Sequence, residues 1–143
     1  MGFKIGRGST IFLGCKFDST QGLTIGDNAV INSNCRIDTR GGVTIGNNVS
    51  ISSDVIILTA DHDMDNKMNG RSRETIIEDY VWIGTRAMIL PGCKIKKGAI
   101  VAAGTVVSRE VASMSVVAGV PASPLRINNR KLNYSTSYRR LFQ

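Results

Sequence analysis

The sequence predicts an all-β chain wound as a parallel β-helix, on three observations. First, Gly22-Leu23-Thr24-Ile25-Gly26-Asp27-Asn28 returns twenty residues later as Gly42-Val43-Thr44-Ile45-Gly46-Asn47-Asn48, and Ile5-Gly6 lies twenty residues upstream. Second, a period of six runs inside the longer one. Its bulky slot holds Ile5, Ile11, Phe17, Ile25, Ile31, Ile37, Ile45, Ile51 and Ile57, then after a break Ile77, Ile83, Ile89, Ile95, Val101 and Val107. Third, Gly, Asp and Asn follow the bulky residue, and these tolerate the positive φ that a tight corner demands. Short strand, corner, short strand, corner describes a coil, and stacked coils pair strand to strand. A strict period of six does not keep one face of a 3.6-residue helix.

Each element follows from this register. Four places after most bulky residues comes a smaller one: Ser9, Cys15, Ala29, Cys35, Val49, Val55, Val81, Ala87, Cys93, Ala99, Thr105 and Val111. The two slots differ by an even number, so both point inward. All three cysteines fall in the small slot and read as core fillers, since a buried free thiol behaves as a small hydrophobe. The first coils carry two extra residues at one corner, and the later part keeps strict sixes. The repeat domain spans 1–127, with a looped-out segment at 58–76, and 128–143 forms a basic tail. In that tail Leu132, Tyr138, Leu141 and Phe142 fit a short amphipathic helix. Such a helix would cap the open end of the coils, or meet a membrane surface or partner through Arg139 and Arg140.

Composition narrows the function classes. At 143 residues the chain suits one domain with a real core. No apolar run is long enough for a transmembrane helix, and Met1-Gly2-Phe3-Lys4-Ile5 lacks the apolar centre of a signal peptide, so a cytoplasmic protein is expected. One histidine excludes a site built from several imidazoles on one chain, including the three-histidine zinc set of a carbonic anhydrase. The net charge of +7 asks for an anionic partner. Yet residues 126–143 hold Arg126, Arg130, Lys131, Arg139 and Arg140 and no acid, so +5 lies there and the rest of the chain carries only +2. No recognised nucleic-acid module appears, and no basic–aromatic interleaving is seen in the repeat.

The break in the repeat carries the only histidine, His62, within Asp61-His62-Asp63-Met64-Asp65. Loops held by a rigid scaffold commonly carry chemistry. A calcium loop fits poorly, because Asn66 stands where its glycine belongs and Ser72 where its closing glutamate belongs. No metal is expected. An aspartate of this segment or a backbone carbonyl would orient the imidazole.

The run Ile-Gly-x-x-Ala/Val-x resembles the hexapeptide-repeat transferases over roughly residues 1–127. Asp61-His62-Asp63-Met64-Asp65, Val81-Trp82-Ile83-Gly84-Thr85-Arg86-Ala87, Ile89-Leu90-Pro91-Gly92 and Ala118-Gly119-Val120-Pro121-Ala122 look like the O-acetyltransferases of polysaccharide and capsule clusters, of the maltose and galactoside type. The resemblance implies a left-handed coil of triangular section, acetyl-CoA as acyl donor, and a homotrimer with active sites between subunits. It implies an acetyl group moved to a hydroxyl of a sugar or glycan precursor. Transfer to an amino sugar or a hydroxylated antibiotic is the alternative, and a non-catalytic scaffold a more distant one.

By the same resemblance His62 is the general base. Imidazole, with an ordinary pKa of about 6.5, suits that task near neutral pH. Thr85 matches a residue at the thioester, where a donor to the oxyanion is typically worth about 10²–10³ in rate; it equally reads as a corner residue. Trp82, at an outward position, matches a wall of the cleft beside the pantetheine arm. Ala103, Ser108, Arg109 and Arg126 match further cofactor contacts. Ser123 departs from the family's usual Lys or Arg, which removes one phosphate contact. Asn32, Asp38, Arg40 and Asp63 are the implied acceptor contacts, the first three expected at one edge if the coils stack in phase.

Overall fold

The computed structural model describes residues 2–136. The bulky and small slots converge on one axis, and the chain coils around it as a three-faced left-handed prism. Face A stacks Lys4–Ile5, Leu23–Ile25, Val43–Ile45, Thr75–Ile77 and Lys94–Ile95; face B stacks Thr10–Ile11, Val30–Ile31, Ser50–Ile51, Trp82–Ile83, Ile100–Val101 and Ser115–Ala118; face C stacks Lys16–Phe17, Arg36–Ile37, Ile56–Ile57, Met88–Ile89 and Val106–Val107. Pairing between successive coils is parallel and in register, for example Ile5 with Ile25, Ile25 with Ile45 and Ile45 with Ile77.

From Ile25 to Val107 every bulky-slot residue is buried, and so is every small-slot residue from Ala29 to Val111. The first coil is different. Ile5 is 48% exposed, and Ile11 and Phe17 are only half-buried, because an end coil has a neighbour on one side only. The two extra residues of the longer coils lengthen the face A strands and add inward side chains at Leu23 and Val43, both buried.

The corners bear out the Gly, Asp and Asn reading at all but Tyr80, Arg86 and Met114. Edge AB places Gly8, Asn28, Asn48, Tyr80, Gly98 and Met114 at positive φ, and edge BC does so with Gly14, Asn34, Asp54, Arg86 and Gly104. Side chains tie these corners from coil to coil. The Asp27 carboxylate accepts from Arg7 N, the Asn47 amide oxygen from Asp27 N and the Asp79 carboxylate from Asn47 N, all at 2.7–2.8 Å.

One expectation changes. The segment 58–76 is not irregular: Ala60–Asp63 and Asn69–Ser72 pair as an antiparallel hairpin. No helix occurs among the described residues of the tail. Instead Ser123–Ile127 turns back antiparallel against Ser115–Ala118, and 128–136 runs as a strap back along edge AB. Asn128 donates to Gly98 O and Met114 O, Arg130 to Gly98 O and Tyr80 O, and the Thr136 hydroxyl to Asn28 O. Leu132 lies beside Gly98, while Tyr138, Arg139, Arg140, Leu141 and Phe142 lie outside the described residues.

Candidate active site

The hairpin leaves the prism at edge CA through a narrow neck. Arg73 N donates to Thr59 O at 2.7 Å, the Thr59 hydroxyl to Asp38 O at 2.9 Å, and the Thr75 hydroxyl to Leu58 O at 3.2 Å. Thr59 and Thr75 are fully buried, so the neck belongs to the core while the hairpin stands in solvent.

His62 sits on the outgoing strand, exposed, with Nδ1 2.9 Å from the Met68 carbonyl oxygen. Lys67 and Met68 both take left-handed backbone, at φ 52° and 55°, which costs a non-glycine residue on the order of 1–3 kcal/mol. That turn brings the Met68 carbonyl to the imidazole. A carbonyl can only accept, so Nδ1 carries the proton and Nε2 presents its lone pair. The backbone carbonyl, not an aspartate, orients the ring.

The aspartates occupy the other side of the hairpin, since neighbours on a strand point to opposite faces. Asp61 accepts from Arg71 Nε at 2.6 Å and Arg73 Nη2 at 2.5 Å, and Asp63 lies 3.9 Å from Arg71. Asp63 also accepts Asp65 N at 3.1 Å, which tightens the turn. The Arg71 hydrogen bond holds the Asp61 carboxyl below the usual carboxylate range, and its desolvation only partly opposes this.

A second concavity, of about 470 Å³, lies on face B and edge BC. It brings together four predicted residues, Trp82, Thr85, Ala103 and Arg126, over a floor that includes Ile100, Ala102 and Val116. Trp82 is 47% exposed, and its Nε1 donates to Ser52 Oγ at 3.2 Å. The Thr85 hydroxyl donates to Ser53 O at 2.7 Å, and Thr85 O accepts Gly104 N at 2.9 Å, so this residue braces the corner while lining the groove. Gly84 is required here: a Cβ would stand 2.5 Å from Ala103 N of the next coil.

The remaining predicted residues are not gathered there. Ser108 and Arg109 are exposed beyond the last face C strand, outside the groove lining. Asn32 follows a face B strand, with Nδ2 donating to Ile51 O at 2.9 Å, whereas Asp38 and Arg40 follow a face C strand, one edge away. Stacking in phase therefore separates Asn32 from the other two instead of joining them. Asp38 is fully buried, and its carboxylate already accepts from Arg40 N, Nε and Nη2 and from Thr59 N. It braces edge CA, while the half-exposed Arg40 guanidinium remains at the surface. Sequence reading missed Ile100 and Val116. Their register with Trp82 on successive coils was the signal available. It also missed Met68, whose role rests on a carbonyl and leaves no trace in side-chain identity.

A parallel prism with small inner residues, one excursion bearing a histidine and one groove beside a tryptophan define the class of coiled transferases built from six-residue repeats. Two family descriptions match this chain, "Bacterial transferase hexapeptide (six repeats)" over residues 74–109 and "Hexapeptide repeat of succinyl-transferase" over 22–59. The solved hexapeptide-repeat acetyltransferase of Vibrio cholerae is 30% identical, with a TM-score of 0.84 over 87% of this chain and 73% of that one; it has also been solved with acetyl coenzyme A. A maltose O-acetyltransferase of Clostridium difficile is 26% identical, with a TM-score of 0.80 over 90% of this chain and 71% of that one. A 2,3,4,5-tetrahydropyridine-2,6-dicarboxylate N-acetyltransferase of Staphylococcus aureus is 53% identical over 51 residues, 36% of this chain. That match spans only 21% of the relative's length. The chain belongs to the hexapeptide-repeat acyltransferase family.

Proposed function

We propose that this protein is an acetyl-CoA-dependent O-acetyltransferase acting on a hydroxyl of a sugar or glycan, with His62 as general base. The observation that carries the reading is the imidazole fixed through Nδ1 on the Met68 carbonyl, with Nε2 open to an acceptor. The acceptor oxygen attacks the thioester carbonyl as its proton passes to Nε2. The tetrahedral intermediate collapses, the C–S bond breaks, and the imidazolium returns the proton to the thiolate. Trp82, Ala103 and Arg126 would hold the donor along the face B groove, with the Arg126 charge toward its phosphates. Thr85 lies on the wall where the thioester would rest.

Placement supports a trimer with shared sites. The His62 hairpin rises from edge CA and the groove opens on face B and edge BC, so base and donor meet most directly across two copies. Outward, half-buried Ile56, Met88 and Val106 on face C give such a contact apolar surface. Transfer to an amine is the second reading, favoured by the local likeness to an N-acetyltransferase.

The test is thiol release from acetyl-CoA with methyl glycosides of glucose and galactose and their 2-amino counterparts, with light scattering for oligomeric state. Turnover on the hydroxyl acceptors is expected, and His62→Ala should lower kcat at least about 10²-fold. Wild-type turnover in that variant overturns the base. Turnover on amino acceptors alone decides for the second reading. No turnover and no CoA binding by calorimetry leaves a scaffold.

A further inference from the structure

The cross-strand partner of His62 is Gly70. Directly opposed residues of an antiparallel pair hold their Cβ positions about 4.5–5.5 Å apart on one face. Glycine at such a place usually answers a backbone or packing demand. Neither exists here. The backbone at Gly70 does not enter the left-handed region, unlike Lys67 and Met68 just before it. A Cβ added at Gly70 would meet no atom within 4 Å, whereas at Gly84, Gly41 or Gly46 it would stand under 3.0 Å from a neighbouring coil. The fold of the single chain would accept a side chain at 70, and the open volume it leaves adjoins the imidazole.

On the far side of the hairpin Asp61, Asp63, Arg71 and Arg73 are engaged in ion pairs. The His62–Gly70 side carries none of these pairs. Resting on the general-base reading above, we infer that Gly70 determines acceptor specificity: its missing side chain admits the ring and flanking substituents of the acceptor beside the base. The acceptor class this fits is a ring-borne group with bulky neighbours. A lone primary hydroxyl on a slender chain, or water, could reach Nε2 without that room.

The experiment compares wild type with Gly70→Ala and Gly70→Val. The probes are the methyl glycoside that turns over best and, as a slender acceptor, water, followed as slow hydrolysis of acetyl-CoA. Melting temperature, light scattering, the KM for acetyl-CoA and the pH dependence of kcat are read in parallel. The expected result is an acceptor KM that rises in the order Gly, Ala, Val, by at least about tenfold for Val. Hydrolysis, donor KM, pH profile, melting and oligomeric state should stay as in wild type. Unchanged glycoside kinetics in an active Gly70→Val enzyme overturns the inference and leaves the base assignment standing. A changed donor KM or loss of the oligomer also overturns it, because the open volume would then belong to the donor or to a second copy. A shifted pH profile with equal loss of hydrolysis overturns it too, by showing that the new side chain displaces the imidazole. Absence of turnover in wild type removes the base reading itself.

Discussion

The carboxylate of Asp38 accepts four hydrogen bonds inside edge CA. The Arg40 side chain is the main cause of its lowered pKa, about 2 against 3.8, and burial opposes the shift. A depressed carboxyl contributes stability above its unfolded pKa and loses it as pH falls through the folded one. The window is therefore from about pH 4 down to about pH 2. The full shift would be worth about 2 kcal/mol, and screening of the half-exposed Arg40 trims it to the order of 1–2 kcal/mol. Urea unfolding from pH 5 to pH 2 should show that decline, and Asp38→Asn should remove this share of it. A slope untouched by Asp38→Asn would place the acid sensitivity elsewhere. The same residue shows what a sequence conceals. Asp38-Thr39-Arg40 reads as polar surface, yet the two residues before Arg40 are fully buried. Burial at this corner comes from Thr59, a partner twenty-one residues away on the next coil.

The hairpin 60–72 is the element where chemistry and fold separate. The register of Ala60 with Ser72 and Asp61 with Arg71 sets which side chains share a face, and a slip by one would turn His62 over to the ion-paired side. Asp61 clamps Arg71 on the returning strand and Arg73 just beyond its end. Asp61→Asn removes the charge that holds both arginines while keeping size and strand position. The expected outcome is faster amide exchange across Ala60–Ser72 and a kcat lowered by up to about 10²-fold, because small misplacement of a base is costly. Melting of the prism should not change, since the core lies beyond the neck. Equal exchange in variant and wild type would show that backbone pairing alone holds the register. The excursion itself was legible as a break in the sixes. Its pairing was not, because Ala60–Asp63 and Asn69–Ser72 have no buried face and so no alternation to read.

At the scale of the molecule, stability is close to a sum over neighbouring coils, and position along the stack decides what a truncation costs. Ile89, fully buried at mid-stack, should lose about 2–5 kcal/mol on change to Ala. Ile5, 48% exposed in the end coil, should lose well under that in the same chemical denaturation. The stack was legible because every coil repeats one inward pattern, whereas the strap has no repeat to betray it. The +5 of residues 126–143 asked for an anionic partner, and for Arg130 the structure gives another use. The guanidinium reaches four acceptors: it donates to Gly98 O at 2.6 Å, Tyr80 O at 3.0 Å and Asn128 Oδ1 at 3.0 Å, and to the Tyr134 hydroxyl, whose ring packs edge-on to Tyr80. A cation shared between carbonyls on adjacent coils adds a side-chain staple to edge AB, beside the backbone bond from Gly98 N to Asp79 O. Hydrogen bonds to a charged group are worth about 1.5–3 kcal/mol, and two carbonyls would lose this donor with it. Arg130→Ala should therefore lower unfolding free energy on the order of 2 kcal/mol, and Arg130→Lys should recover little, because one ammonium lacks the planar fork that reaches all four acceptors. Full recovery by Lys would show that charge alone holds the strap. The small cavity of about 190 Å³ between strap and prism is lined by Arg130, Tyr134 and Trp82. Trp82 is the only tryptophan, so its emission reports strap loss directly. Release of the strap in Arg130→Ala should shift that emission to the red, together with the loss in stability.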